Sequence, residues 1–153
     1  MSKKITVLYV DDEENNLMSF KATFRMKYNV LLALSGDEAL RIMQARPVEI
    51  IITDQRMPNM TGIEFLENVL KKFPDPMRIL LTGYTDMNAV IDAVNLGKIY
   101  HYHSKPWDER ELDNTLQKAY QVFYEKQRMK EMNLQLAVSN DQLEFLLRQK
   151  LLS

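Results

Sequence analysis

Short β-branched runs at residues 5–10, 28–33, 49–53, 77–82 and 99–104 alternate with longer amphipathic stretches at about 14–27, 36–46, 62–72 and 86–96. This alternation constrains the fold more than any other feature of the chain. Strands separated in this way by helical segments pair in parallel, with the helices packed on both faces of one sheet. Local signals support the boundaries. Ser35-Gly36-Asp37-Glu38 and Thr61-Gly62-Ile63-Glu64 match the capping box, in which hydroxyl and carboxylate satisfy terminal amides. Pro47, Pro74 and Pro76 punctuate helix exits, and Gly97 stands where a C-terminal glycine belongs. The expectation is an α/β, doubly wound, five-stranded parallel sheet.

The carboxyl ends of these runs carry the chemistry. Ile5 to Val10 leads into Asp11-Asp12, and Glu49-Ile50-Ile51-Ile52-Thr53 leads into Asp54. Arg78-Ile79-Leu80-Leu81 ends at Thr82, and Tyr100 to Ser104 leads into Lys105-Pro106. Open α/β sheets place their ligands at this edge. Two carboxylates about 4 Å apart repel by roughly 4 kcal/mol at an effective dielectric of about 20, so a cluster of three calls for a cation. Hard oxygen ligands without His or Cys suit Mg²⁺, which keeps waters open for phosphate oxygens. Lys105 supplies a positive charge and Thr82 a hydroxyl for the same oxygens. Each piece has an ordinary reading. An acidic pair after a strand serves as a turn or cap, Asp54 as a turn residue, Lys105 as a surface charge and Thr82 as a turn opener. Their coincidence at four strand ends outweighs those separate readings.

Composition narrows the class. A chain of 153 residues with 46% hydrophobic content can bury one proper core plus an appendage. A formal net charge of -1 argues against broad nucleic-acid binding. Cysteine is absent, so disulfides and thiolate metal sites are excluded. The apolar run behind Met1-Ser2-Lys3-Lys4 is too short for a signal peptide or a membrane span. A cytoplasmic protein without membrane partners is expected.

The elements Val10-Asp11-Asp12-Glu13, Asp54-Gln55-Arg56-Met57-Pro58, Gly62, Leu81-Thr82-Gly83 and Ser104-Lys105-Pro106 together resemble the response-regulator receiver domains of the CheY-like family. The resemblance covers about the first 120 residues, in the family's order and spacing. It implies a flavodoxin-like sheet in the order 2-1-3-4-5, and that order comes with the family. It further implies that Asp54 is a phosphoacceptor for a sensor histidine kinase or a histidine phosphotransfer protein. Asp12, Asp54 and the backbone carbonyl of Arg56 would hold Mg²⁺, with Asp11 acting mainly through water. Lys105 and Thr82 would bind the acyl phosphate. Thr82 and Tyr102 would switch the face built from helix 86–96, strand 99–104 and helix 108–124. Tyr102 reads equally well as a half-buried strand aromatic. Arg56 and Tyr84 would tune the lifetime of the phosphorylated state. Thr61 departs from the family's frequent Asp or Asn but still caps. His101 and His103 read as strand-face residues, and Trp107 as a cover for the end of the sheet. The receiver itself is not expected to be an enzyme.

A last helix is expected from Asp108, with Leu112, Leu116, Ala119 and Phe123 facing the sheet. Val122, Met129, Leu136 and Leu143 then follow a seven-residue repeat extended by Leu147, with Lys126, Asn133 and Asn140 at the partner positions. This divides the chain into a receiver at 1–124 and a helical extension at 125–153. The extension reads either as a parallel coiled coil forming a homodimer or as a single solvated helix. Ser139-Asn140-Asp141-Gln142 is a sequence able to cap a second helix there. The chain is expected to form the N-terminal part of a larger regulator, with a stand-alone phosphorelay adaptor as the alternative. An aspartyl-phosphate phosphatase of the haloacid-dehalogenase type wants an acid where Arg56 stands. A nucleotide or flavin module wants glycines where Asp11-Asp12-Glu13-Glu14 stands.

Overall fold

The computed structural model describes residues 4–83 and 87–152. The elements follow in strict alternation: β1 (Thr6–Val10), α1 (Glu14–Phe24), β2 (Asn29–Ala33), α2 (Gly36–Ala45), β3 (Ile50–Asp54), α3 (Gly62–Lys72), β4 (Met77–Thr82), α4 (Met87–Asn95), β5 (His101–Ser104) and α5 (Glu109–Leu152). All pairings are parallel, and the sheet order is β2-β1-β3-β4-β5. This is the flavodoxin-like, doubly wound arrangement. β1 and β3 are buried along their whole length, because helices cover both faces of the central strands. The edge strands β2 and β5 are the more exposed, whereas β4 is buried except at Arg78.

One face of the sheet packs Leu8, Val10, Ile51 and Leu80 against Phe65, Leu66 and Val69 of α3 and Val90 of α4. On the other face, Tyr9 stacks on Phe20 with ring centroids 4.3 Å apart, and Phe24 and Trp107 close on the same cluster. Trp107 thus covers this aromatic layer, edge-on to Phe20 at 6.1 Å.

The capping boxes form by half. Ser35 accepts from Glu38 N at 3.1 Å, but the Glu38 carboxylate accepts from Leu34 N at 3.0 Å, one residue earlier than the reciprocal pattern. Thr61 accepts from Glu64 N at 3.2 Å, while its hydroxyl donates to the Glu64 carboxylate at 3.1 Å. Gly97 closes α4 with φ +75, and Lys98 N and Gly97 N reach Ala93 O and Val94 O at 2.9 and 3.0 Å. That is the Schellman pairing, which requires a left-handed residue at this point.

The chain divides into two compact units, Met1–Tyr120 and Gln121–Ser153. In the first, Leu112, Leu116 and Ala119 are the buried residues of α5. In the second, Met129, Leu136, Leu143 and Leu147 are exposed apolar side chains, as are Met132 and Leu146. No helix end falls at Ser139–Gln142; α5 runs through it. No described helix is long and apolar enough to cross a membrane.

Candidate functional site

Parallel register brings the strand ends to one edge. Val10 pairs with Thr53, so Asp11 follows β1 beside Asp54 at the end of β3. Asp11 N continues the ladder to Ala33 O at 3.1 Å, and Gln55 N continues it to Leu81 O at 3.0 Å. Carboxylate oxygens of Asp11, Asp12 and Asp54 lie within 4.8 Å of one another. Among the described residues this is the one group of three potential metal ligands of its kind, and His101 and His103 are not part of it. Asp11 and Asp54 are buried, whereas Asp12 faces solvent.

The fifth strand adds the cation. Thr82 pairs with Ser104, and Lys105 N donates to Thr82 O at 3.0 Å. This register carries Lys105 across β4 to the acidic edge, where its Nζ forms a hydrogen-bonded ion pair with Asp54 Oδ1. The Lys105–Pro106 peptide bond is cis. Burial holds the Asp54 carboxyl above the ordinary carboxylate range; Lys105 pulls it down, and the neighbouring Asp11 pushes it up.

Hard oxygen donors, no nitrogen or sulfur, and two buried carboxylates fit a small divalent cation such as Mg²⁺, with water completing the sphere. Buried charges of one sign are costly without such a partner, and Lys105 offsets only part of that cost.

Thr82 is buried, and its hydroxyl donates to Gly83 O at 3.0 Å. Tyr102 is half-buried and packs against the α3–α4 side core. It pairs in register with Leu80, so it lies one alternation back from Thr82 on the same face. Arg56 is exposed in the loop after β3. Tyr84 lies outside the described residues. His101 is exposed, and His103 is half-buried, with Nε2 2.6 Å from Thr115 Oγ1. Partial desolvation of the rings holds both imidazoles below their ordinary value, reinforced at His101 by the Lys118 charge and at His103 by the charge of His101.

Three residues of the site escape sequence reasoning. Gln55 clips the loop shut: its carbonyl accepts from Gly62 N and its side chain from Ile63 N, both at 2.9 Å. Tyr9 and Asn16 both donate to Asp11 Oδ2, at 2.8 and 3.1 Å. Burial, and then the Asp11 charge, push the Tyr9 phenol well above its ordinary value, so it remains a donor. Strand alternation, which sets Tyr9 and Asp11 on one face, was the available signal for Tyr9.

The fold and this acidic edge are of the receiver type. The response regulator receiver domain family matches residues 7–117, so the chain belongs to it. The chain is 38% identical over 151 residues to the hydrogenase transcriptional regulatory protein HoxA of Cupriavidus necator, covering 99% of this chain and 31% of that protein. It is 33% identical over 123 residues to HoxA of Bradyrhizobium diazoefficiens, covering 80% and 25%. The signal receiver domain of an HD domain-containing protein from Pseudomonas fluorescens Pf-5 superimposes with a TM-score of 0.77 at 30% identity, over 84% of this chain and 95% of that one. The chain thus spans less than a third of the length of these HoxA relatives. Receivers of this family are the two-component targets of sensor histidine kinases.

Proposed function

We propose that Asp54 accepts a phosphoryl group from a phosphohistidine on a sensor histidine kinase or histidine phosphotransfer protein. The observation that carries this reading is the ion pair between Lys105 Nζ and Asp54 Oδ1 inside an acidic cluster. It supports a reading in which Asp54 is the nucleophile, Lys105 the cation for phosphoryl oxygens and the acidic cluster the metal cradle, all at one sheet edge. Asp12 and Asp54, with the backbone carbonyl of Arg56, would hold Mg²⁺, and Asp11 would act through water. When bound, Mg²⁺ offsets the charge of the carboxylates and of the phosphoryl oxygens. An Asp54 oxygen then forms the new P–O bond as the P–N bond breaks. The departing imidazole nitrogen keeps the electron pair and takes a proton. Lys105, already at Asp54, receives a phosphoryl oxygen. The Thr82 hydroxyl turns from Gly83 O to the same group, which opens room for Tyr102 to move inward.

This is a charge event that biases a two-state element, here the α4–β5–α5 face. Arg56 and Tyr84 set how long the acyl phosphate survives. The receiver unit is residues 1–124, and 125–153 is a linker that signals onward and forms a homodimer. The coverage of HoxA, a transcriptional regulator, supports placement in a larger regulator. The apolar residues exposed along Gln121–Ser153 support self-pairing over a solvated single helix. Incubation with a small acyl phosphate and Mg²⁺ should label the chain once, and Asp54→Ala should abolish labelling. Undiminished labelling of that variant removes the assignment.

A further inference from the structure

Asp11 is the most fully satisfied carboxylate of the acidic cluster. It is completely buried. Its Oδ1 accepts from Glu13 N at 3.0 Å, and its Oδ2 accepts from both Tyr9 Oη at 2.8 Å and Asn16 Nδ2 at 3.1 Å. The Tyr9 ring is only 2% exposed and lies flat on Phe20, with centroids 4.3 Å apart and planes 18° apart. Phe20 is itself fully buried. A ring clamped in this way cannot turn its hydroxyl elsewhere. Packing alone would be served equally by phenylalanine, so the one added oxygen serves Asp11.

We propose that Tyr9 is a positioning residue that sets the affinity of the acidic cluster for its divalent cation, by supplying Asp11 with a permanent hydrogen bond. The proposal rests on the cation-binding reading above and adds a residue to it. A buried anion is most costly when it lacks partners, and each donor relieves that cost before a cation arrives. Donors on Asp11 therefore stabilise the cation-free state more than the cation-bound state, in which the ion supplies the missing charge. Tyr9 lowers the affinity and keeps Asp11 in one orientation without the ion. Asn16 acts on the same oxygen with a second tie, at 3.3 Å, to Glu13 Oε2.

The test is Mg²⁺ titration by calorimetry of the wild-type chain and of Tyr9→Phe, Asn16→Ala and Asp12→Ala, with thermal melts in chelator and in saturating Mg²⁺. Tyr9→Phe should bind Mg²⁺ about three- to tenfold more tightly, the size expected from one charged hydrogen bond partly replaced by its neighbours. Its Tm deficit should be larger in chelator than in Mg²⁺. Asn16→Ala should shift in the same direction by less, and it carries the test should Tyr9→Phe fail to fold. Unchanged or weaker affinity in the folded variant overturns the proposal. So does a Tm loss equal with and without Mg²⁺, which marks a purely structural hydroxyl. A wild-type chain that binds no Mg²⁺ removes the cation reading and this inference together. Binding that is lost in Asp12→Ala but unaltered in Tyr9→Phe removes only the role of Tyr9.

Discussion

Gly62, the first residue of α3, approaches Asp54 so closely that a Cβ there would lie 2.4 Å from the Asp54 carbonyl oxygen and 2.7 Å from Leu80 Cδ1. Backbone cannot yield as a flexible side chain does. Gly62→Ala should therefore cost about 2–3 kcal/mol by overpacking, measured by urea unfolding. Phosphoryl acceptance should fall as well, because relief of the clash displaces the Asp54 backbone. Wild-type stability in this variant would show that the loop holds the helix less closely than the structure has it.

The acceptor should be unusually sensitive to acid. Burial raises the Asp54 carboxyl above its ordinary range, so the folded state binds a proton more readily than the unfolded chain does. Stability contributed at this position therefore falls as pH rises from the ordinary carboxylate value through the raised one, and stays low above it. Nucleophilicity runs the other way: labelling by a small acyl phosphate should be lost on acidification before an ordinary carboxylate would protonate. Mg²⁺ should move that loss to lower pH, and chelation should move it back. A labelling profile that ignores Mg²⁺ would contradict the shared cluster.

Thr82→Ala should still accept phosphate at Asp54 but should uncouple the face beyond it. The Thr82 hydroxyl is buried and donates to the adjacent Gly83 carbonyl, a partner it can leave when a phosphoryl oxygen arrives. Amide exchange across β5 and the first turns of α5, with and without an acyl phosphate donor, is the measurement. Equal responses in variant and wild type would remove the hydroxyl from the switch.

Asp113 gives the opposite pH signature to Asp54. Its partial burial acts to raise its pKa, but hydrogen bonds from Lys27, at 2.6 Å, and from the Tyr28 hydroxyl prevail and hold it below the ordinary range. Its contribution is complete above the ordinary carboxylate value and is lost as pH falls through the depressed one. Lys27 is 64% exposed, so its share is screened and Tyr28 carries more of the effect. Asp113→Ala should cost about 1–2 kcal/mol at neutral pH and progressively less in acid, measured by denaturant titration. A cost independent of pH would mean that packing, not charge, sets the value.

The C-terminal unit should make the chain a dimer. Met129, Leu136, Leu143 and Leu147 are each more than half exposed, and burying such surface yields about 25 cal/mol per Å². Lys126, Asn133 and Asn140 at the partner positions keep the pairing moderate. Truncation after Phe123 should give a monomer that still phosphorylates. Sedimentation showing the full chain monomeric from micromolar to near-millimolar concentration, with and without a phosphate mimic, would reduce this unit to a linker.

The sequence by itself determined the alternation of strands and helices, because hydrophobic period is a local property of the chain. It also determined which residues end the strands, so Asp11, Asp12, Asp54, Thr82 and Lys105 could be named as one set. Parallel pairing then forces those ends to one edge. The detail at that edge was decided only by tertiary structure. The donors on Asp11 come from β1 and α1, and the loop after Asp54 is closed by Gln55 reaching forward to Ile63. The reciprocal arms of both capping boxes shifted by one group, since a carboxylate takes whichever donor the packed loop presents. The chain also ran helical through Ser139–Gln142, where cap residues had offered a stop. A cap sequence ends a helix only where the chain must turn, and nothing local to those residues supplies that requirement.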